Sequence, residues 1–284
     1  MVTYLPDARS FLKISQKALE EDEINGNLIF GLANILLKNE KAYGPDSPFY
    51  SIVYRNNEPS LIALMTPPKN LLLYKTNNFD NSVMKLFAEE LYAKNIFIPG
   101  ITSELNLAES FMENWTRLTN HDPQISMNLR VYKLTKVREC IKPNGIFRKA
   151  EINDLDSVIG FITGFYTDTR EAITDERIWE NADKGIRNNE IFVWDNKGAV
   201  SMAMKRRPTK NGMAVSGVFT PAKHRNKGYA TAVVAELSRN ILDSGKSFCT
   251  LFTDLSNPTS NSIYQKIGYE AVCDHISYTF KTWS

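Results

Sequence analysis

Arg225-Asn226-Lys227-Gly228-Tyr229-Ala230 joins a strand-like run to a helix-like run. Residues 214–220 are mostly β-branched, aromatic or small, which predicts a short strand. Residues 230–237 repeat apolar side chains at three- and four-residue spacing, which predicts an amphipathic helix. Gly228 lets the backbone approach a ligand closely, and N–H groups at a helix start attract anions. The pattern therefore predicts a phosphate-binding loop, to which Arg225 and Lys227 add positive charge.

The composition predicts a globular chain whose charges are nearly balanced. The 284 residues slightly favour two domains over one. Lys and Arg number 34 against 32 Asp and Glu, and a net charge of +2 argues against nucleic acid as a partner. No apolar run approaches the roughly 20 residues that cross a bilayer, so we expect no membrane insertion. Any anion site must be local.

The cysteines indicate a reducing compartment. Cys140, Cys249 and Cys273 are too few and too irregularly spaced for a disulfide framework or a zinc site, so we expect no metal. Residues 1–7 have neither the basic patch nor the apolar core of a signal peptide. We therefore expect a cytoplasmic protein.

Hydrophobic periodicity and turn residues divide the chain into helices and strands. The first half is predicted to contain helices near 8–21 and 23–39, strands at 49–54, 60–66 and 71–74, a helix from Asp80 through Leu91, a short apolar segment at 96–98 ending in a Pro99-Gly100 break, and a helix near 104–118. The second half is predicted to contain strands at 127–134 and near 147–150, helices at 154–165 and 175–188, strands at 191–194, 199–205 and 214–220, a helix from 230, a strand at 248–253, a helix at 260–267 and a strand at 270–280.

The two halves share an order of elements, which predicts a diverged tandem repeat. The polar stretch 119–124 has the composition of a linker, and we predict domains at 1–125 and 126–284. The first half has Pro67-Pro68-Lys69-Asn70 in place of a glycine-containing phosphate loop. We therefore expect the first half not to bind the same ligand as the second.

A second motif follows the strand at 248–253. Residues 254–269 read Asp-Leu-Ser-Asn-Pro-Thr-Ser-Asn-Ser-Ile-Tyr-Gln-Lys-Ile-Gly-Tyr, with Asn257 and Tyr264 seven positions apart. Together with the loop at 225–230, this spacing resembles the GNAT superfamily of acyl-coenzyme A N-acyltransferases over about residues 145–284. The resemblance implies an α/β (α+β) fold of two tandem GNAT-like units, each a mixed, mostly antiparallel sheet flanked by helices.

The resemblance also implies a donor and the residues that hold it. The donor is acetyl-CoA, or the CoA thioester of another short acyl group. Val218, Phe219 and Thr220 pair through their backbone with the pantetheine arm. The pyrophosphate is wrapped by Arg225, Asn226, Lys227, Gly228, Tyr229 and Ala230. Asn257 holds a pantetheine amide, and Tyr264 is the general acid that protonates the departing thiolate. With a usual pKa near 10, a tyrosine keeps its proton at neutral pH.

Tyr264 and Asn257 each also have an interpretation that involves no ligand. Tyr264 is typical of a packing tyrosine on a short amphipathic helix, and Asn257 before Pro258 is typical of a turn. The general base is not identified, because residues 213–220 contain no carboxylate. Asp254 is the nearest candidate in sequence, although its role as a helix or turn cap is the stronger interpretation. Backbone carbonyls and a water chain are the remaining possibility.

The acceptor is predicted to be a small molecule with a primary amine. Candidate lining residues lie on the first two helices of the second half: Phe161, Phe165, Tyr166, Asp168, Glu171 and Asp175. Acidic side chains that face this predicted acceptor site would favour a cationic amine. Phe161 and Phe165, four residues apart, are also typical of a helix face turned to a core.

Several alternatives remain open. A degenerate first unit followed by an active-looking second unit also resembles the glycine N-acyltransferase-like group, whose acceptors are small amino acids. A non-catalytic module that binds acyl-CoA is the alternative to an enzyme, and a structural protein is a third reading. The sequence also leaves the oligomeric state open, with a homodimer among the candidates.

Overall fold

The computed structural model describes residues 1–281, which form two compact units. The first unit contains Met1–Val131, Thr253–Ser256 and the chain from Val272 on. The second unit contains Tyr132–Phe252 and Asn257–Ala271. Both combine helices with a mostly antiparallel sheet, which confirms the predicted α/β class. The domain boundary between residues 125 and 126 stays a prediction.

The first unit is built on the sheet order β1-β2-β3-β4-β5-β12. Its pairings are antiparallel except that of β4 with β5. Asp7 begins the first helix by accepting the Ser10 N–H at 2.7 Å. The elements are β1 Val2–Leu5, α1 Ala8–Glu21, α2 Asn27–Lys38, β2 Phe49–Arg55, β3 Glu58–Met65, β4 Leu71–Lys75, α3 Ser82–Ala93, β5 Gly100–Glu104, α4 Leu105–Thr119, β6 Asp122–Leu134, whose last three residues belong to the second unit, and β12 Glu270–Lys281, most of which completes this sheet.

The second unit is built on the sheet order β11-β10-β9-β8-β7. Here the only parallel pairing described joins β10 to β11. The elements are β7 Ile146–Lys149, α5 Leu155–Thr169, α6 Asp175–Arg187, β8 Ile191–Asp195, β9 Ala199–Arg206, β10 Gly212–Phe219, α7 Tyr229–Asp243, β11 Phe248–Asp254 and α8 Pro258–Ile267. The core on one face involves α5 and α6, and a separate core involves α7 and α8. None of the helices within residues 1–281 is long and apolar enough to span a membrane.

The same order of elements occurs twice along the chain. Strand, two helices, three strands, helix, strand, helix and strand run from β1 to β6 and again from β7 to β12. In both halves the parallel pair consists of the strands before and after the third helix, β4 with β5 and β10 with β11. The shared order is therefore an observation, while its origin in a tandem repeat stays a prediction.

Two breaks predicted from the sequence are wrong. The Pro99-Gly100 break is the start of β5, where a Cβ on Gly100 would lie 2.1 Å from the Tyr278 carbonyl oxygen of β12. Glycine is needed there because two strands approach closely, not because the chain turns. The polar stretch 119–124 is not wholly a linker, because β6 begins at Asp122. The sequence reading also missed β1, whose four residues are too few to show periodicity.

A buried histidine makes the stability of the first unit depend on pH. His275 in β12 is 8% exposed, and burial lowers its pKa from 6.5 to about 4 against the opposing effect of Glu104 and Asp274. The folded state therefore disfavours the charged imidazole. The resulting stability is present above pH 6.5 and is lost as the pH falls towards 4, because only the unfolded chain takes up the proton.

We expect the free energy of unfolding to fall by about 2 kcal/mol more between pH 7 and pH 5 in the native chain than in His275→Asn. Urea titrations of both proteins at the two pH values measure this difference. Equal pH dependence in the two proteins would show that His275 does not titrate in this way.

Candidate functional site

Two strands of the second unit separate towards their carboxyl ends. β10 and β11 pair only over Gly212–Ala214 and Phe248–Thr250. On the other side of β10, the register with β9 shifts between Ser216 and Phe219. Gly217 lies in this irregularity with φ +59, a backbone conformation that favours glycine. The second half of β10 is therefore released from β11 and locally bent.

The predicted phosphate loop lies directly after this strand. A short 3-10 helix, Ala222–His224, leads into it, and α7 begins at Tyr229. Asn226 and Gly228 have φ values of +62 and +80, and these left-handed residues turn the chain into the helix. A Cβ on Gly228 would meet only Pro143, at 4.0 Å. The loop is open on that side.

The loop exposes backbone donors. Across the described chain, the N–H groups of residues 226–231 donate to no backbone carbonyl, and the first α7 bond of this kind joins the Ala232 N–H to the Gly228 carbonyl. Such N–H groups, together with the dipole of α7, form an environment that favours an anion. Of the six residues that the sequence assigned to a pyrophosphate, residues 226–230 therefore have open N–H groups, whereas the Arg225 N–H donates to the Ala222 carbonyl at 3.2 Å.

The basic side chains of the loop turn back onto the protein. Arg225 donates from Nε to the Thr220 carbonyl at 3.0 Å and forms a 2.8 Å ion pair with Asp168 at the end of α5. Lys227 donates to the Lys223 carbonyl at 3.2 Å. The Arg225 and Asp168 side chains are 48% and 55% exposed, so this pair contributes at most about 1 kcal/mol. An anion at the loop can therefore compete for Arg225.

The last residues of β10 alternate between the two faces of the sheet. Val218 packs on the core that contains α7 and α8, whereas Phe219 packs on the core that contains α5 and α6. The Ser201 hydroxyl donates to the Phe219 carbonyl at 3.3 Å and lies 2.8 Å from the Thr220 hydroxyl. β9 thus holds the strand end from one edge.

Asn257 begins α8 as a helix cap. Its side-chain oxygen accepts the Ser260 N–H at 3.0 Å, and its carbonyl accepts from both the backbone and the side chain of Asn261. Asn257 therefore has the role at a turn and helix start that its position before Pro258 indicated. Asn257 is exposed, and its amide nitrogen is a candidate donor to a ligand.

Tyr264 lies in the hydrophobic core of the second unit. It is 7% exposed, and its ring packs against Tyr132 and Tyr269 with centroids 6.3 and 5.9 Å apart. Burial raises its pKa to about 12, opposed by a hydrogen bond with Ser260. The phenol therefore keeps its proton at neutral pH. The same core contains Val218 and Tyr229, so the structure groups Tyr264 with two of the predicted donor-binding residues.

The candidate acceptor residues differ in their surroundings. Phe161 is 6% exposed and packs 6.1 Å from the ring of Phe219, as its core interpretation expects. Phe165 contacts Tyr166, whose pKa is raised by burial. Asp168 is engaged by Arg225, so it does not present a free carboxylate to a cationic amine.

Asp254, the candidate general base nearest in sequence, lies in the first unit. Its carboxylate accepts the Ser256 N–H at 2.8 Å, which is the capping role that the sequence favoured. Within residues 1–281, no group of three or more His, Cys, Asp and Glu side chains is placed to hold a metal ion.

The second unit contains a cleft of about 500 Å³, and the sequence predicted only part of its lining. Phe161 was predicted as a lining residue, and the loop-side residue Arg225 also lines it. The sequence reading missed Ser157 and Gly160 of α5. The spacing of positions 157, 160 and 161 on one helix face was the available signal.

The first unit closes the equivalent loop with its own side chains. In the first unit, the loop that corresponds to 225–230 is 76–81, between β4 and α3. The prediction that residues 67–70 take the place of the phosphate loop is wrong, because they lie between β3 and β4. Thr76 donates to the Pro59 carbonyl at 2.7 Å, and the Asp80 carboxylate accepts the Ser82 N–H at 2.9 Å at the start of α3. A carboxylate at that position disfavours a second anion.

Comparisons with known proteins agree with this geometry. Residues 196–278 match a family described as FR47-like protein, a range that includes the loop and the Asn257–Tyr264 segment. None of the curated proteins searched matches the chain. An acetyltransferase of the GNAT family from Colwellia psychrerythraea is 14% identical with a TM-score of 0.69, covering 99% of this chain and 100% of its own.

Two further solved structures show the same likeness. A GCN5-related N-acetyltransferase from Sphaerobacter thermophilus is 13% identical with a TM-score of 0.65, covering 98% of this chain and 94% of its own. Another from Kribbella flavida is 14% identical with a TM-score of 0.60, covering 90% and 95%. The chain therefore has the GNAT acetyltransferase fold.

Two glycines one turn apart on α5 test how closely Phe219 is packed. A Cβ on Gly164 would lie 2.2 Å from Cζ of Phe219, whereas a Cβ on Gly160 would meet nothing within 4 Å. We expect Gly164→Ala to lower the free energy of unfolding by about 1–3 kcal/mol through overpacking. Gly160→Ala is the matched control and should raise it by up to about 1 kcal/mol through helix propensity. Urea midpoints distinguish the two, and equal effects would refute the close packing.

Proposed function

We propose that the protein is an N-acyltransferase that transfers an acetyl or other short acyl group from its CoA thioester to a primary amine. The loop 225–230 carries this proposal. Its open N–H groups, its left-handed Asn226 and Gly228, and the released end of β10 together suit a pyrophosphate joined to an extended arm. The GNAT fold supports acyl transfer as the class of reaction.

In the proposed complex, the donor runs along the released end of β10. The pyrophosphate is held by the N–H groups of Asn226, Lys227, Gly228, Tyr229 and Ala230 and by the Arg225 side chain, because the Arg225 N–H donates to the Ala222 carbonyl. The pantetheine arm pairs with the backbone of Val218, Phe219 and Thr220, because strand pairing with β11 ends before these residues. The Asn257 amide nitrogen donates to a pantetheine carbonyl while its oxygen continues to cap α8.

The proposed reaction is a direct attack. The nitrogen of the neutral amine attacks the thioester carbonyl carbon, and the carbon–sulfur bond breaks as the electron pair moves to sulfur. Tyr264 gives its proton to that thiolate and later regains one from solvent. The pKa of about 12 keeps this proton on the tyrosine in the resting protein. The amine loses its own proton to solvent through a chain of water molecules that backbone carbonyls position, since residues 213–220 contain no carboxylate.

A non-catalytic acyl-CoA-binding module is the second candidate. The observation that favours it is the deep packing of Tyr264 between two other tyrosines, as expected of a structural residue. This candidate predicts donor binding without acyl transfer to any amine. A small amino acid as acceptor and a homodimeric assembly are further proposals.

Donor binding is tested by thermal unfolding. Millimolar acetyl-CoA should raise the melting temperature of the native chain, because a ligand that binds only the folded state stabilises it. Gly228→Ala should abolish most of this shift, since alanine disfavours φ +80 and moves the loop N–H groups.

Gly245→Ala is the control for backbone strain. Gly245 has φ +94 and lies in open space beyond α7, far along the helix from the loop. This variant should lose stability while keeping the acetyl-CoA shift. If the native chain shows no shift at millimolar acetyl-CoA, the proposed donor is wrong.

The role of Tyr264 is tested by removing its hydroxyl. Tyr264→Phe should lower kcat by about 10²–10⁴ while the Kd for acetyl-CoA changes less than about twofold, because a general acid acts in the transition state. Tyr269→Phe is the matched control, since this buried neighbour bonds Ser238 instead. Steady-state rates and calorimetric binding measure both effects. Unchanged kcat in Tyr264→Phe would identify a packing tyrosine.

A further inference from the structure

Tyr229 differs from its neighbours in the loop 225–230. Its ring belongs to the core that contains α7 and α8 and is 7% exposed, whereas the four loop residues before it are exposed. Because its side chain is buried, Tyr229 offers an anion at the surface only its N–H group. Its ring and its hydroxyl therefore serve a purpose other than direct contact with a phosphate.

The Tyr229 hydroxyl is bound to a turn in a distant part of the chain. It accepts a hydrogen bond from the Asn196 amide nitrogen at 2.7 Å, across 33 positions of the sequence. Asn196 lies in the turn between β8 and β9, and Tyr229 is the first residue of α7. The His224 ring, just before the loop, packs edge-to-face on the Tyr229 ring with centroids 6.3 Å apart. Both ends of the loop thus converge on this one side chain.

The turn that binds Tyr229 is itself held in place. The Asn196 N–H donates to the Gly198 carbonyl at 2.9 Å, and the Asp195 carboxylate accepts the Gly198 N–H at 2.9 Å. The same carboxylate accepts two hydrogen bonds from Arg148 of β7, at 2.8 and 2.6 Å. The Asn196 amide is therefore presented to Tyr229 by a turn that is fixed to two strands of the sheet.

The other described side-chain bonds of the loop are more exposed to water. They come from Arg225 and Lys227, whose side chains lie at the surface. A Cβ on Gly228 would meet only Pro143, at 4.0 Å. A segment with few buried contacts opens easily, so the partly buried bond at Tyr229 has a large effect on how well the start of α7 is ordered.

We infer that Asn196 is a positioning residue for the donor: by binding the Tyr229 hydroxyl, it holds the start of α7 in the geometry that accepts the pyrophosphate. The inference rests on the proposed function and extends it to a turn that is not among the proposed donor contacts. Without this bond the loop populates other conformations. The apparent affinity for the donor then falls with the fraction of molecules whose loop is ready to bind.

Asn196→Ala and Tyr229→Phe each remove the bond from one side. Calorimetry should show that either change raises the Kd for acetyl-CoA by about two- to tenfold, the range expected for one hydrogen bond. The double variant should bind no more weakly than the weaker single variant, because both substitutions remove the same bond. Additive losses in the double variant would show that the two side chains act separately, which contradicts the inference.

Hydrogen exchange gives a local readout of the same bond. The N–H groups of residues 232–236 are in the first hydrogen-bonded turn of α7. Without ligand, they should exchange faster in Asn196→Ala and Tyr229→Phe than in the native chain, while those of β11 exchange as before. Saturating acetyl-CoA should restore the native rates, because the bound donor orders the loop that the lost bond had held.

Tyr269→Phe is the matched control. It removes a hydroxyl from the same core, where Tyr269 lies 2.8 Å from the Ser238 hydroxyl in a later turn of α7. This variant should lose stability and keep the Kd for acetyl-CoA within about twofold. If it weakens acetyl-CoA as much as Tyr229→Phe does, the effect is a general loss of stability, and the role of Asn196 is refuted. Melting temperatures confirm the folding of each variant.

The outcomes separate this inference from the proposed function. If the native chain does not bind acetyl-CoA, both fail. If the native chain and the two variants bind acetyl-CoA equally well, the donor assignment stands and the positioning role is refuted. Faster exchange in the variants with unchanged affinity would also refute it, because the bond would then stabilise α7 without preparing its start for the donor.

Discussion

The pairing of β10 with β11 ends at Ala214 and Thr250, and the proposed chemistry depends on that early separation. A strand that continued its ladder would use its N–H and carbonyl groups within the sheet and leave none for an extended ligand. Because β10 is released, its end leads directly into the loop at 225–230. The left-handed Asn226 and Gly228 then direct the chain into α7 with several N–H groups open. The released end of β10 and the open start of α7 are thus joined by the short 3-10 helix Ala222–His224 and the loop.

The two halves of the chain share an order of elements but differ in chemistry at the loop after the fourth strand. In the second unit that loop contains Gly228 and exposed backbone donors. In the first unit the loop 76–81 is closed by Thr76, and Asp80 places a carboxylate at the start of α3. A fold alone therefore does not make a donor site, since occupancy of the helix start decides whether an anion is accepted.

Much of the candidate site followed from local sequence. Gly228 and the residues beside it signal a tight loop before a helix, and Asn257 before Pro258 signals a helix start, because both depend on backbone preferences of neighbouring residues. The ion pair of Arg225 with Asp168 did not follow, since it joins positions 57 apart. The cleft at Gly160 and the packing of Tyr264 against Tyr132 likewise depend on contacts between distant segments.

Most helices and strands and the phosphate loop were predictable from the sequence, because periodicity and turn residues act over a few neighbouring positions. The sequence predicted the first helix at 8–21, and α1 spans Ala8–Glu21. The place of Gly100 inside a strand was not predictable in this way, because it depends on the Tyr278 carbonyl oxygen far along the chain. The three-dimensional structure was needed to show it. It was also needed to show that Tyr264 is buried with its pKa raised to about 12 and that a cleft lies beside the loop. Burial and convergence of distant side chains have no local sequence signal.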